Sequence, residues 1–238
     1  MIYIRSLLYY LIFAPSTIII AMLVLLGRLF GRDFSWWVSR LWGWWSDKLL
    51  RAFCGINFVV EGIENVPKTP CVVVCKHQST WETTTLPVVL PPFAWVLKKE
   101  LMAIPFFGWA LYALGAIPIV RSNPRDALKQ VIEKGTAQLK SGRFIVIFPE
   151  GTRVDVGETG NYQPSAMMLA KKAEVAILPV AHNAGLCWPR GTILKYPGTI
   201  TIRVLPAISA EDVQAGKRND LLSDCEALIE AACRDLGA

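Results

Sequence analysis

A histidine and a glutamate five residues apart follow a short apolar stretch of this sequence. The stretch is Cys71–Cys75, and His77 and Glu82 come directly after it. An apolar run that ends in polar residues is typical of a buried strand whose carboxyl end opens into a crevice, where α/β sheets place ligands. If a helix begins near Ser79 or Thr80, Glu82 lies in its first turn and can reach the imidazole. A carboxylate on one ring nitrogen would leave the other nitrogen free as a general base.

Spacing alone favours a simpler interpretation, in which His77 and Glu82 form a helix cap or a surface pair, because such pairs are common. A second polar cluster changes that balance. The segment Phe148–Arg153 also follows an apolar run, which begins at Phe144. Two strand ends would then bring polar groups to one place, and this arrangement predicts an active site.

Composition narrows the class of protein. The chain has 238 residues, is 53% hydrophobic and carries a net charge of +6. A basic chain with apolar segments is drawn to anionic lipids, or to acidic substrates such as phosphates and coenzyme A. No nucleic-acid recognition motif is present, so nucleic acid is not an expected partner. Six cysteines without a C-x-x-C pair predict free thiols in a reducing compartment, and two histidines argue against a zinc site, so we expect no metal.

The N-terminal 54 residues predict a membrane anchor. No charged residue occurs from Ser6 to Gly27, and Leu7–Leu26 is long enough to span a bilayer. Arginines follow this stretch, which places the next domain on the cytoplasmic side. Five of the nine tryptophans lie within Ser35–Phe53, which predicts a second helix at the membrane interface and a hairpin with the first. The alternative is that these tryptophans pack in a soluble core.

Residues 55–238 predict a single α/β domain with a mixed sheet, because short β-rich runs alternate with helical ones. The candidate strands are Ile56–Glu61, Cys71–Cys75, Ala94–Leu97, Ile117–Val120, Phe144–Phe148, Ala176–Val180 and Thr199–Leu205. The candidate helices are Thr80–Val89, Phe106–Leu114, Arg125–Lys140, Ser165–Lys172 and Asp212–Leu236.

Four motifs in this order give the chain a recognisable pattern: His77-x4-Glu82, Gly115–Arg121, Phe148–Arg153 and Ile177–Asn183. The pattern resembles the glycerolipid acyltransferase family, in particular its bacterial 1-acyl-sn-glycerol-3-phosphate acyltransferases. The resemblance covers most of the chain from about Gly55 to Leu205. It implies transfer of an acyl chain from acyl-CoA or acyl carrier protein to lysophosphatidic acid, giving phosphatidic acid. No other cofactor is expected, and the catalytic domain would face the cytoplasm at the inner membrane, in contact with membrane lipids.

The resemblance also implies that His77 is the catalytic base and Glu82 its acidic partner. The family usually has aspartate where this chain has glutamate, and the extra methylene lengthens the reach to the imidazole. A second departure follows the third motif, where relatives often carry lysine and glycine and this chain reads Tyr162–Ser165. Direct transfer needs no acyl-enzyme, because a thioester is already activated and the chain has no G-x-S-x-G nucleophile motif.

The acceptor's phosphate requires fixed cations, and Arg121 and Arg153 each stand just past an apolar run and offer forked donors. Gly151 would let backbone N–H groups approach the phosphate, and Thr152 adds a hydroxyl. We expect Glu150 to orient Arg153 rather than to bind a glycerol hydroxyl. The alternative for this cluster is a tight surface turn.

Other interpretations stay open. The acceptor could be glycerol-3-phosphate or a lysophospholipid with a larger headgroup, and a non-enzymatic lipid-binding protein is the alternative of another class. His182 is expected to be a hydrogen-bonded core or rim residue and not a second base. Lys98 and Lys99 could attract acidic donor groups or form a solvated edge, and the run Lys98–Tyr112 could dock on a bilayer or pack against the sheet.

Overall fold

The computed structural model describes residues 1–238, which form two long antiparallel helices followed by an α/β domain. Helix α1 (Ile2–Gly27) is followed by α2 (Arg32–Leu49) and a π-helical turn over Leu50–Cys54. Polar contacts join the two helices: Ser35 Oγ donates to Val24 O at 2.6 Å, and Trp42 Nε1 donates to Thr17 Oγ1 at 2.9 Å. By length and hydropathy, one segment, Ile2–Phe30, could cross a membrane.

The sheet has seven strands: β1 Ile56–Glu61, β2 Val72–Cys75, β3 Phe93–Lys98, β4 Ile117–Ile119, β5 Phe144–Ile147, β6 Ile177–His182 and β7 Gly198–Val204. Their order in the sheet is β1-β7-β6-β2-β5-β3-β4. Every neighbouring pair is parallel except β6 and β7, which are antiparallel. The expected mixed sheet is therefore confirmed, and five strands, β2 to β6, end at the same edge.

Seven helices accompany the sheet: α3 Trp81–Val89, α4 Phe107–Ala113, α5 Pro124–Lys140, α6 Ser165–Ala173, α7 Ala184–Cys187, α8 Ala210–Ala215 and α9 Arg218–Asp235. The long helix expected over Asp212–Leu236 is two helices, because the backbone of Gly216 is extended and ends α8 there. Strand β6 continues two residues beyond its expected end and includes His182, and the short helix α7 was not predicted.

Side chains of the central strands alternate between two cores. In β2, Val73 and Cys75 pack with buried residues of α1, α2 and α3, whereas Val72 and Val74 pack with those of α5, α6 and α9. This follows from the two-residue period of a strand. Continued past β2, the same alternation directs Lys76 toward the α9 face and His77 toward the α1 and α2 face. Neighbouring residues in the sequence thus serve opposite sides of the sheet.

Helices α1 and α2 share the core of the domain while leaving much apolar surface exposed. Tyr9 and Trp36 are buried in the same cluster as the sheet residues, and Trp36 packs on Phe93 with ring centroids 4.7 Å apart. In contrast, Trp37 and Trp44 are more than half exposed. Some tryptophans of α2 therefore pack in the core and others face outward. Neither the membrane-interface nor the soluble-core interpretation holds for all five tryptophans.

Candidate active site

The expected site residues lie at the edge where β2 to β6 end. His77 follows β2, Arg121 follows β4, and the segment from Glu150 to Arg153 follows β5. Since β2 lies between β5 and β6 in the parallel part of the sheet, the polar segments after these strands become neighbours. The amide of Val154 donates to the carbonyl of His77 at 2.9 Å, which joins two of these segments directly.

His77 and Glu82 form a short hydrogen-bonded pair, the His77–Glu82 dyad. The distance from His77 Nδ1 to Glu82 Oε1 is 2.7 Å, and the same oxygen accepts the backbone N–H groups of Gln78 at 3.1 Å and Ser79 at 2.9 Å. The glutamate therefore lies in the first turn of α3 and satisfies the free amides that precede the helix. Its position fixes the proton on Nδ1 and leaves Nε2 of His77 as the acceptor.

The electrostatic surroundings keep Glu82 ionised. Complete burial by itself raises the pKa of Glu82, but the imidazoles of His182 and His77 and the N–H of Ser79 lower it below the ordinary value. His182 Nε2 lies 3.9 Å from Glu82 Oε2. Glu82 thus lies between two imidazoles, and its negative charge is available to stabilise a protonated His77.

His182 itself is occupied by structural hydrogen bonds. Its Nδ1 accepts the N–H of Ala184 at 3.2 Å, and its Nε2 lies 2.9 Å from the carbonyl oxygen of Lys76. These partners assign the proton to Nε2, and burial lowers the pKa of the ring. His182 is therefore a neutral, fully buried residue that supports the dyad from behind.

His77 opens on a cavity of about 300 Å³, and Arg121 and Arg153 line the same cavity. The imidazole stacks on Phe148, with ring centroids 3.9 Å apart and an interplanar angle of 12°. Phe148 thus covers one face of the imidazole, and Glu82 occupies its Nδ1 edge, so the Nε2 edge is the one without a partner in the protein. An imidazole and two guanidinium groups thus face one space, which is large enough for a polar headgroup.

Arg153 is the better placed of the two arginines. Its Nε is buried and has no hydrogen-bond partner in the protein, so a donor is available to a ligand. Gly151 has a φ of 68°, a left-handed conformation that favours glycine, and allows the turn after β5. Gly151 and Thr152 are not among the residues that line the cavity, and Thr152 is exposed. Of the segment Glu150–Arg153, only Arg153 faces His77 across the cavity.

The expected contact of Glu150 with Arg153 is not formed. Glu150 is buried, its Oε1 lies 2.8 Å from Lys76 Nζ, and its Oε2 accepts the backbone N–H of His77 at 2.8 Å. Strand alternation is the reason, since Lys76 projects toward the opposite face and draws the carboxylate inward. Burial raises the pKa of Glu150 to about 7, although Lys76 and the N–H of His77 oppose that shift.

Sequence reasoning missed Lys76 and Glu230, which meet behind the dyad. Lys76 Nζ lies 2.7 Å from Glu230 Oε1, and Lys76 is 1% exposed. A lysine directly after an apolar strand was a signal of a buried cation, because lysine is almost never buried without a partner. Glu230 follows the buried Ile229 on α9, but nothing in its spacing pointed to a residue so far away in sequence.

Comparisons with known proteins agree with this geometry. The sequence model of the Acyltransferase family matches residues 57–183. A 1-acyl-sn-glycerol-3-phosphate acyltransferase of Pseudomonas aeruginosa is 47% identical over 174 residues, which cover 73% of this chain and 68% of that protein. A chloroplastic 1-acyl-sn-glycerol-3-phosphate acyltransferase of Arabidopsis thaliana is 34% identical over 71% of this chain and 47% of its own length.

A solved structure is similar over the whole chain. The crystal structure of the 1-acyl-sn-glycerophosphate acyltransferase PlsC from Thermotoga maritima superposes with a TM-score of 0.83, at 25% identity, covering 100% of this chain and 96% of that one. Helices α1 and α2 are therefore part of the shared fold and not an addition to it. With the family model spanning more than half of its residues and the relatives matching the same region, this chain belongs to the acyltransferase family.

Proposed function

We propose that the protein transfers an acyl chain from an acyl thioester to the free hydroxyl of 1-acyl-sn-glycerol-3-phosphate and so makes phosphatidic acid. The observation that carries this proposal is the single cavity that His77, Arg121 and Arg153 share. A general base and phosphate-binding cations in one space suit an acceptor that carries both a hydroxyl and a phosphate. The names of the relatives point to the same acceptor.

In the proposed reaction, His77 Nε2 takes the proton of the acceptor hydroxyl while that oxygen attacks the thioester carbonyl. The carbon–sulfur bond then breaks, and the same proton passes to the leaving thiolate. Glu82 accepts the N–H of Nδ1 at 2.7 Å and stabilises the imidazolium that forms between these steps. No covalent acyl-enzyme is needed, since the thioester is activated enough for direct attack.

Arg153 is the proposed first contact of the phosphate, because its buried Nε has no partner within the protein. Arg121 lines the same cavity from the end of β4 and supplies a second guanidinium. Glu150 has no direct role in binding in this proposal, since it is engaged with Lys76 and with the backbone of His77. Gly151 shapes the turn that presents Arg153.

An apolar cavity of about 50 Å³ adjoins the headgroup cavity and marks the proposed path of an acyl chain. It lies between α1, α2 and α4, and both cavities are lined by Trp42, Trp95, Phe107 and Leu111. Ile20 and Val24 of α1 extend the lining on the far side. A lipid tail in this position would pass between the N-terminal helices and the sheet, with its glycerol end beside His77.

The N-terminal helices are the proposed membrane anchor. Many large apolar side chains of α1 are exposed, including Leu11 at 61% and Ile19 at 54%. An exposed apolar surface of this kind marks a site that contacts lipid or a protein partner. Arg28, which follows α1, and Arg32, which begins α2, favour the cytoplasmic side of the inner membrane by the positive-inside tendency.

The enzymatic test uses the purified full-length protein with two acceptors, lysophosphatidic acid and glycerol-3-phosphate, and two donors, acyl-CoA and acyl carrier protein. We expect lysophosphatidic acid to be acylated, and His77→Ala to reduce kcat by about 100-fold or more, as for loss of a general base. A faster rate with glycerol-3-phosphate would contradict the proposed acceptor. No turnover with any pair would favour a lipid-binding protein, and turnover unaffected in His77→Ala would contradict the role of His77 as the general base.

Arg153→Ala tests the phosphate contact. The substitution should raise KM for lysophosphatidic acid far more than KM for the thioester, because it removes a donor to the phosphate. Arg234→Ala is the matched control, since Arg234 is an exposed arginine at the end of α9. Equal effects on both substrates would argue against the assignment of Arg153.

The anchor is tested without disturbing the core. Leu11→Lys together with Ile19→Lys should shift the protein from the vesicle fraction to the soluble fraction, because both side chains are exposed on α1. Leu228→Lys, which changes an exposed leucine of α9, is the control. Retention of the double variant on vesicles at high salt would point to the surface over Lys98–Tyr112 as the stronger contact.

A further inference from the structure

Three charged residues form a buried cluster behind the dyad that the proposed reaction does not use. Lys76 Nζ lies 2.8 Å from Glu150 Oε1 and 2.7 Å from Glu230 Oε1, and it donates to the carbonyl of Glu158 at 2.9 Å. The exposures of Lys76, Glu150 and Glu230 are 1%, 7% and 9%. Burying three charges costs free energy that a stable fold does not require, since apolar residues of similar volume are often at least as stable. A functional reason for the cluster is therefore indicated.

The cluster connects to the catalytic histidine through one carboxylate. Glu150 accepts the backbone N–H of His77 at 2.8 Å with the oxygen that does not face Lys76. On the other side of His77, the carbonyl accepts from Val154. The position of the imidazole therefore depends on a backbone held at both its N–H and its C=O, and one of these two contacts ends on the buried cluster.

Helix α9 reaches the cluster from the opposite face of the sheet. Glu230 of α9 accepts from Lys76, from the hydroxyl of Tyr162 at 2.8 Å and from Thr159 Oγ1 at 3.2 Å. Gly160 allows the connecting loop to pack closely, since a Cβ there would lie 2.8 Å from Glu150 Cγ. Glu230 lies outside residues 57–183, the part of the chain that the family model matches.

We propose that Lys76 and Glu230 are positioning residues for His77, an inference that rests on the proposed acyl transfer. They act through Glu150 and make helix α9 part of the support of the catalytic base. Lys76 neutralises the carboxylates, and Glu230 holds Lys76 in place and biases the charge of Glu150. An ionised Glu150 is the stronger acceptor for the N–H of His77, because charge-assisted hydrogen bonds are stronger than neutral ones. The ionised form therefore corresponds to the ordered, active position of His77.

The pH dependence follows from the groups that interact electrostatically with Glu150. At the end of β2 these are the thiol of Cys75 and the ammonium of Lys76, which follows the strand. On α9 they are Glu230 and the thiol of Cys233, and the loop contributes the hydroxyl of Tyr162. Burial and the charge of Glu230 both raise the pKa of Glu150, and Lys76 opposes them. Removing the charge of Glu230 should therefore let Glu150 ionise at a lower pH.

The decisive variant is Glu230→Gln, which keeps the shape and can still accept from Lys76 and Tyr162. We expect the acid limb of its pH–rate profile to move to lower pH, with KM for lysophosphatidic acid unchanged within about twofold. Glu226→Gln is the matched control, because Glu226 lies one turn before Glu230 on the same helix and is not among its buried residues. A profile of Glu230→Gln that superimposes on that of Glu226→Gln would overturn the proposal.

Lys76→Met should change kcat more than Glu230→Gln does, and Lys129→Met is its control. We expect kcat per folded molecule to fall by about tenfold or more with KM little changed, since small misplacements of a catalytic group are costly. If Lys76→Met does not fold, the double variant Lys76→Met/Glu230→Gln, with one buried charge left, replaces it. Wild-type kcat in whichever variant folds would overturn the proposal.

Hydrogen exchange separates this inference from the proposed function. The backbone amide of His77 should exchange faster in Lys76→Met, or in the double variant, than in Lys129→Met, whether or not the protein acylates any acceptor tested. If wild-type protein shows no acyl transfer, the proposed reaction fails, and faster exchange would still support the positioning of His77. Unchanged exchange at His77 would overturn the positioning role even in an active enzyme.

Discussion

Two lysines of this protein are completely buried, and their surroundings are opposite. Lys76, at 1% exposure, faces the carboxylates of Glu150 and Glu230. Lys195, at 0% exposure, faces the rings of Tyr10, Trp188 and Tyr9, which lie 3.6, 4.2 and 4.4 Å from Nζ. The hydrogen bond of its Nζ goes to the carbonyl of Ile193 at 3.2 Å. One lysine is ion-paired, and the other is enclosed by aromatic side chains.

The consequences for charge differ accordingly. Burial alone lowers the pKa of Lys76, but Glu150 and Glu230 more than offset it, so the pKa is raised. Burial lowers the pKa of Lys195 to about 7, and no carboxylate opposes it. Lys76 is thus a permanent cation beneath the dyad. Lys195 is about half protonated near pH 7, and its side chain packs α1 against the loop before β7.

Lys76→Met should produce the largest change in stability. It leaves two buried carboxylates without their cation, and we expect the free energy of unfolding to fall by about 3–5 kcal/mol. Chemical denaturation in detergent micelles measures this quantity. A loss smaller than that of Lys195→Met would contradict the distinction drawn between the two lysines.

Glu150→Gln should lower the free energy of unfolding by less than Lys76→Met does, about 1–3 kcal/mol at pH 4.5, because Lys76 keeps Glu230 and the amide oxygen still accepts from His77. The raised pKa of Glu150 also predicts a pH dependence. Its contribution to stability is full below the ordinary value of 4.5 and is lost as the pH rises through about 7. Unfolding measured between these values should therefore show stability falling with pH in the wild type and a shallower slope in Glu150→Gln.

Lys195→Met should change the free energy of unfolding near pH 10.5 by less than about 1.5 kcal/mol, since methionine fills a similar volume among the rings. The lowered pKa gives the opposite pH dependence to that of Glu150. Stability from this group is present above the ordinary value of 10.5 and is lost as the pH falls through about 7. The wild type should gain stability between pH 7 and pH 10.5, whereas the variant should not; equal slopes would show that Lys195 stays charged.

Lys129→Met should have the smallest effect, below about 0.5 kcal/mol, because exposed ion pairs contribute little. Lys129 and Glu133 are exposed on α5, and their charged atoms are 3.9 Å apart. The variant controls for the loss of a positive charge as such. A loss comparable to that of Lys76→Met would mean that net charge, and not burial, governs all three lysine variants.

The local features of the site were predictable because their causes are local. Glu82 reaches His77 across five residues, at the junction of a strand and a helix, and apolar runs before both clusters indicated strands that end at one edge. The departure from aspartate did not prevent this contact. The amides of Gln78 and Ser79 hold the carboxylate in the first turn, where the longer side chain folds back.

The role of Glu150 could not be predicted from its neighbours. Its motif suggested a contact with Arg153, three residues away, but the carboxylate instead meets Lys76 on the inner side of the sheet. Strand alternation in β2 could have indicated that Lys76 points away from His77. It could not have identified what Lys76 would meet there, because α9 comes from a distant part of the chain and is brought to that face only by the tertiary fold.

The sequence by itself determined the α/β class, the apolar N-terminal helix, the His77 and Glu82 pair and the arginines that follow the strands. Each of these depends on hydrophobic periodicity or on spacing within one segment. Only the tertiary structure decided that α1 and α2 share a core with the sheet, and that Glu230 lies 2.7 Å from Lys76 although 154 residues separate them. Contacts of that kind arise when two elements pack face to face. Which two faces pack together has no signature in any single stretch of the chain.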